Sequence, residues 1–149
     1  MNALTLLEKD HRKVKQLLAR LETTTIRGVK TRTSLFTRLK SELTAHEDVE
    51  ETIFYPALRN HPRAKQLVLE SYEEHDVVDR LIGQLTGLPV QHETWGPKAK
   101  DMQENLEHHI EEEEGPLFTK ARQVFSRREL ADLGQKMADR KRDLQARSR

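Results

Sequence analysis

The sequence predicts an all-α fold, an antiparallel up-down-up-down four-helix bundle with an additional C-terminal helix. Three observations carry that expectation. Apolar residues recur at spacings of three and four along four long segments, the signature of amphipathic helices. Six glycines and five prolines in 149 residues leave room for long helices, and aromatic residues, at 5%, are too few for a sheet core. At this length, with 35% apolar residues, the chain suits one compact domain with a real core. Residues 1–125 are expected to form the bundle and 126–149 a C-terminal helix and basic tail of the same domain.

The first helix is marked by Leu4, Leu7, His11, Val14, Leu18 and Leu21, an apolar seam interrupted once, by His11. The stretch TTTIRGVKTRT separates it from a second stripe at positions 36, 39, 43, 46, 50, 53 and 57, where His46 and Glu50 interrupt Phe, Leu, Leu, Ile and Ala. That helix should end near RNHPR, because proline disfavours helix at the residue before it. A third helix, from about Ala64 to Leu85, carries Val68, Ser71, His75, Val78 and Ile82 on one face. After TGLPVQHETWGPK the fourth stripe is Trp95, Ala99, Met102, Leu106, His109 and Glu113. Ser126 and Glu129 form a capping box for a fifth helix, with Leu130, Leu133, Met137 and Leu144 along its narrow apolar edge.

Composition excludes several function classes. The 26 basic and 25 acidic residues leave a net charge of +1, which calls for neither nucleic acid nor an anionic membrane. With no cysteine there is no disulfide, thiolate metal site or cysteine nucleophile. No run approaches the roughly 18 apolar residues of a membrane span, and MNALTLLEKDH is not a secretory leader, so a cytoplasmic protein is expected. The basic end of the fifth helix alternates arginine with aspartate and has no interleaved aromatic, so it reads as a solvated, frayed tail rather than a nucleic-acid contact. The apolar edge of that helix docks on the bundle or on a partner protein.

The chain also repeats itself. HEDVEETIFY (46–55) matches HIEEEEGPLF (109–118), and His11 to Leu21 matches His75 to Leu85, each at an offset of 63 or 64 residues. Each copy is a helix pair that supplies one histidine from its first helix and His-x-x-x-Glu from its second. Positions i and i+4 share a helix face, so four imidazoles and two carboxylates converge inside an apolar bundle. A lone seam histidine is usually an ordinary core residue, but four at matching positions argue otherwise. Buried carboxylates cost several kcal/mol each unless paired or coordinated, and a cation is the obvious compensation. Imidazole suits iron, zinc, copper or nickel. Six ligands related by an approximate twofold imply two metals, with the glutamates available to bridge and coordination positions left open, as in a redox-active rather than a closed structural site. Glu111, Glu112 and Glu114 are expected to form a solvated helix face, and His108 to be a surface or outer group. His61 and His92 fall in loops, while Phe54, Tyr55, Leu117 and Phe118 are expected in the core, as pocket walls.

His11, HEDVEETIFYP, EEHDVVDRL (73–81) and HHIEEEEGPLF (108–118) resemble the hemerythrin-like family, the HHE cation-binding domains, over about residues 4–120. The resemblance implies a non-haem di-iron centre, two iron ions with a bridging oxo or hydroxo group. The implied ligands are His11, His46, Glu50, His75, His109 and Glu113, with Glu50 and Glu113 bridging. One position departs from the pattern. Oxygen-carrying hemerythrins have His-x-x-x-His on the third helix, whereas this chain has His75 followed by Asp79. Asp79 is open to three roles: an additional ligand, an acceptor orienting an imidazole, or a surface acid paired with a lysine or arginine. Glu47 and Tyr72 are further candidates beside the site. An anion in place of a neutral ligand stabilises ferric iron and shifts the expectation from oxygen carriage towards oxidant or peroxide chemistry. The expected small-molecule ligand is dioxygen, hydrogen peroxide or nitric oxide, and the enzyme reading is a di-iron catalase- or peroxidase-like activity. The alternatives are an iron- or oxygen-sensing module without turnover and a structural zinc site. A ferritin-like arrangement is disfavoured, because only Glu8 and His11 have its Glu-x-x-His spacing.

Overall fold

The computed structural model describes residues 1–147, and its described residues are helical with no strand. Ser148 and Arg149, the end of the expected basic tail, lie outside the described residues. The helices are α1 (Ala3–Glu22), α2 (Val29–Val49), α3 (Tyr55–Arg59), α4 (Lys65–Thr86), α5 (Trp95–Glu112), α6 (Phe118–Val124) and α7 (Arg127–Arg147). Among the described residues no helix is long and apolar enough to cross a membrane.

Local chemistry sets the ends. Asn2 caps α1, its side-chain oxygen accepting from the Thr5 amide at 2.9 Å. Ser126 and Glu129 satisfy each other's backbone amides at 2.9 and 3.1 Å, which starts α7. Arg32, buried near the start of α2, ties two interhelical connections together: it donates to Thr24 in one and to the Val90 carbonyl in the other. Its guanidinium also sits 4.9 Å from the centre of the Trp95 ring.

Two segments are not α-helical where the sequence stripes run straight on. A π-helical turn, Glu50–Phe54, joins α2 to α3, and a second, Glu113–Leu117, joins α5 to α6. Each begins at the glutamate of a His-x-x-x-Glu motif. Closing each turn, the amides of Tyr55 and Phe118 reach back five residues to the carbonyls of Glu50 and Glu113. Proline lies beside both, Pro56 just after the first and Pro116 inside the second, and neither has an amide hydrogen for the ordinary ladder. The extra residue moves the seam on by one. The stripe positions Ile53 and Ala57 are only half-buried, whereas Leu58 and the expected core residues Phe54 and Tyr55 are buried.

The apolar interior is split in two. One cluster contains Leu7, Val49, Phe54, Val68, Leu117 and Met137; the other contains Val14, Leu43, Val78, Trp95, Leu106 and Ile110. His11 lies between Leu7 and Val14, His46 between Leu43 and Val49, and His75 between Val68 and Val78, so a polar layer separates the clusters. α1 packs on α2, α4 on α5, and α7 across α1 and α2. The docking edge of α7 is Leu130, Leu133 and Met137, which belong to the first cluster.

Candidate metal centre

His11 comes from α1, His46 from the last turn of α2, His75 from α4 and His109 from the last turn of α5, while Glu50 and Glu113 open the two π turns. All six are at most 3% exposed. The Nε2 atoms point inward: His11 lies 3.1 Å from Glu113 Oε1, His46 3.2 Å and His75 3.1 Å from Glu50 Oε1, and His109 3.3 Å from Glu113 Oε2. Ligand-type atoms gather into two groups, each with its atoms within 4.8 Å of one another: His11, His46, Glu50 and Glu113, and Glu50, His75, His109 and Glu113. The histidines divide two and two. Both glutamates belong to both groups.

The donor set fits cations. His11 Nε2, His46 Nε2, both oxygens of Glu50 and Glu113 Oε1 are buried without a hydrogen-bond partner. Leaving such atoms unsatisfied costs roughly 1–3 kcal/mol each, and more for charged groups. Imidazole nitrogens and carboxylate oxygens converging on two points are ligands for first-row transition metals such as iron or zinc.

A second ring of carboxylates holds the imidazoles. Each Nδ1 faces one: His11 with Glu114 at 2.6 Å, His46 with Asp10 at 3.0 Å, His75 with Glu51 at 3.1 Å and His109 with Glu74 at 2.8 Å. Nδ1–H donating to a carboxylate leaves the Nε2 lone pair directed at the cluster and makes it a stronger ligand. The ring follows the repeat. Asp10 and Glu74 precede the first histidine of each copy and serve the second; Glu51 and Glu114 follow Glu50 and Glu113 and serve a histidine of the other copy. Glu114 therefore corrects the expectation of a solvated acid, although Glu111 and Glu112 are exposed.

Electrostatics in the cluster follow from this crowding of acids. Burial works to lower the imidazole pKa values, but the carboxylates outweigh it and lift His46, His75 and His109 from 6.5 to about 10. Burial likewise works to raise Glu113, yet its buried neighbours, the His109 imidazole among them, hold it well below the usual carboxylate range. Cations would compete with these protons for the same atoms.

The remaining candidates lie further out. Glu47 joins Glu51 and His75 in a third, less buried group. Burial, and then a hydrogen bond with Asp79, push Glu47 up to about 8. Asp79 is exposed and belongs to neither main group; its partner is Glu47, not an imidazole or a basic residue. Tyr72 packs its ring against Tyr55, with centroids 5.3 Å apart, rather than against the ligands. Tyr55 reaches the centre instead. Its buried hydroxyl donates to Glu113 Oε2 and lies 3.3 Å from His75 Nε2. The first π turn aims it inward, where a pocket wall is expected; its bond to Glu113 is what the α-helical stripe gives no signal for. His108 is exposed, 3.7 Å from Glu74. His61 packs on Phe125, and His92 bonds to Thr94.

Comparison with known proteins agrees with this geometry. The model of the hemerythrin HHE cation-binding domain matches residues 2–121. The crystal structure of a hemerythrin HHE cation-binding domain-containing protein from Mycobacterium kansasii superposes with a TM-score of 0.88 at 27% identity, covering 98% of this chain and 88% of that one. No curated protein gives a significant match.

Proposed function

From the premise that the chain belongs to the hemerythrin HHE cation-binding domain family, we propose that its buried cluster holds two iron ions with a bridging oxo or hydroxo group, and that the loaded protein turns over a small oxidant, hydrogen peroxide or dioxygen. Nitric oxide is a further ligand of the same class. The observation that carries the reading is the pair of ligand groups that share Glu50 and Glu113. An antiparallel up-down-up-down order underlies it, supported by the alternation of the two apolar clusters along successive helices.

In this reading His11 and His46 would hold one ion and His75 and His109 the other, with Glu50 and Glu113 available to both. When bound, the irons supply ferrous–ferric redox cycling and an open coordination position for the oxidant. The chain's own groups prepare that position. Asp10, Glu51, Glu74 and Glu114 keep the imidazoles aimed inward. Phe54, Leu117 and Phe118, all buried, exclude water on one side of the layer, with the Phe118 ring stacked 6.2 Å from that of His11. Tyr55 holds a proton against Glu113 Oε2, where burial and the two glutamates raise its pKa well above the ordinary value.

Oxygen evolution on adding hydrogen peroxide to iron-loaded protein tests turnover. Sustained evolution that disappears in Glu50→Ala supports the enzyme reading. A stoichiometric response without turnover supports the second reading, a binding module that signals occupancy. The contact of α7 with Asp10, one residue from His11, favours that alternative.

A further inference from the structure

We propose that Lys141, on the C-terminal helix, is a positioning residue for the metal centre: through Asp10 it fixes the His46 imidazole and makes the two metal positions inequivalent, the His11/His46 position being the tighter. This rests on the two-metal reading above. The histidines and the carboxylates behind them obey the internal repeat, but the groups that hold those carboxylates do not. Lys141 donates to Asp10 Oδ1, while Asp10 Oδ2 accepts from His46 Nδ1 at 3.0 Å. The side chains of Lys141 and Asp10 are only 12% and 4% exposed, and Glu42 lies 3.6 Å from the same ammonium.

The corresponding place in the other half is built differently. Glu74, the counterpart of Asp10, bonds His109 Nδ1 at 2.8 Å, yet its side chain is 26% exposed and its other oxygen faces His108, which is 64% exposed, at 3.7 Å. No lysine of the described residues pairs with it. Water can compete for Glu74 and loosen His109, whereas Asp10 is pinned at both oxygens in a dry setting. A ligand held in its bound orientation loses less freedom when the ion arrives, so affinity rises at the position that contains His46.

Lys141 interrupts the apolar edge of α7, four residues after Met137 and three before Leu144, yet it is far in sequence from every His-x-x-x-Glu motif. Its neighbour Arg140 supplies an internal control, because it docks α7 through a two-point pair with Asp48, at 2.8 and 3.1 Å, without touching Asp10.

The test is titration of the metal-free protein with cobalt(II), followed by visible absorption, for the wild type, Lys141→Met, Lys141→Arg and Arg140→Ala. Wild type should take up two ions in two resolved steps. Lys141→Met should weaken the first step by about tenfold or more, the range seen when groups behind metal ligands are removed, and merge it with the second. Lys141→Arg should restore the separation, and Arg140→Ala should keep it despite a lower melting temperature. Unchanged steps in Lys141→Met, or equal losses in Arg140→Ala, would overturn the proposal. If Lys141→Met does not fold, Lys141→Gln takes its place with the same expected loss. A wild type that binds no second cobalt would overturn the two-metal reading itself.

Discussion

His11 Nδ1 lies 2.6 Å from Glu114 Oε2, a contact that spans 103 residues and joins the two halves of the internal repeat. The mirror contact joins His75 to Glu51 at 3.1 Å. Each half thus orients one imidazole of the other, so a two-ion site requires both halves in place.

Glu114→Ala should therefore lower metal affinity about 10- to 100-fold, while Glu111→Ala, an exposed member of the same acidic run, should not change it. Competition against a chelator of known affinity measures both. Equal effects would mean that the Glu114 carboxylate does not act through His11.

His46→Ala and His109→Ala each remove a buried imidazole of the cluster and should abolish two-ion loading, read as metal content per chain. His108→Ala should leave loading nearly intact, since its side chain is 64% exposed and touches only Glu74. Similar losses in all three would place the register of α5 in error.

This register was legible in the sequence because the motif repeats: His46 with Glu50 and His109 with Glu113 share spacing, neighbours and offset. The all-helical class, the helix ends and the apolar seams were legible for the same reason, a 3.6-residue period sustained over long segments. What the period could not show was its own interruption. The π turn at Glu50 carries the chain off the Ile53–Ala57 stripe, which leaves Ile53 half-buried beside the expected core residue Phe54 and brings Tyr55 to Glu113. The orienting carboxylates were hidden for another reason. Glu51, Glu74 and Glu114 look like solvated acids until the fold brings an imidazole from another helix against each one. Asp79 drew attention by its position four residues after His75, yet its partner is Glu47.

Stability of the metal-free protein should fall as pH rises. His46, His75 and His109 have folded-state pKa values raised from 6.5 to about 10 by the surrounding carboxylates, against the effect of burial. Between these values the folded state binds more protons than the unfolded one, so the stabilisation is complete below pH 6.5 and is lost through about pH 10. Urea midpoints of metal-free protein at pH 6, 8 and 10 should decline in that order. Iron-loaded protein should lack this decline, because its imidazoles are neutral ligands. A metal-free midpoint that rises over this range would contradict the protonated cluster.

Gly134 tests the docking of α7. A Cβ there would collide with the Met1 carbonyl oxygen and lie 2.6 Å from Asn2 C and 2.8 Å from Ala3 N, all backbone atoms at the start of α1. Alanine normally stabilises a helix interior by about 1 kcal/mol over glycine, but overpacking costs about 1–3 kcal/mol. Gly134→Ala should lower the melting temperature in calorimetry. A rise would show that α7 does not lie this close to α1.

Elemental analysis of protein purified without chelator, with visible spectra before and after hydrogen peroxide, tests most directly whether the buried cluster binds two irons. Two irons per chain and a near-ultraviolet band that responds to peroxide are the predicted result. Zinc alone, or a protein that holds no metal and shows no spectral response, would contradict it.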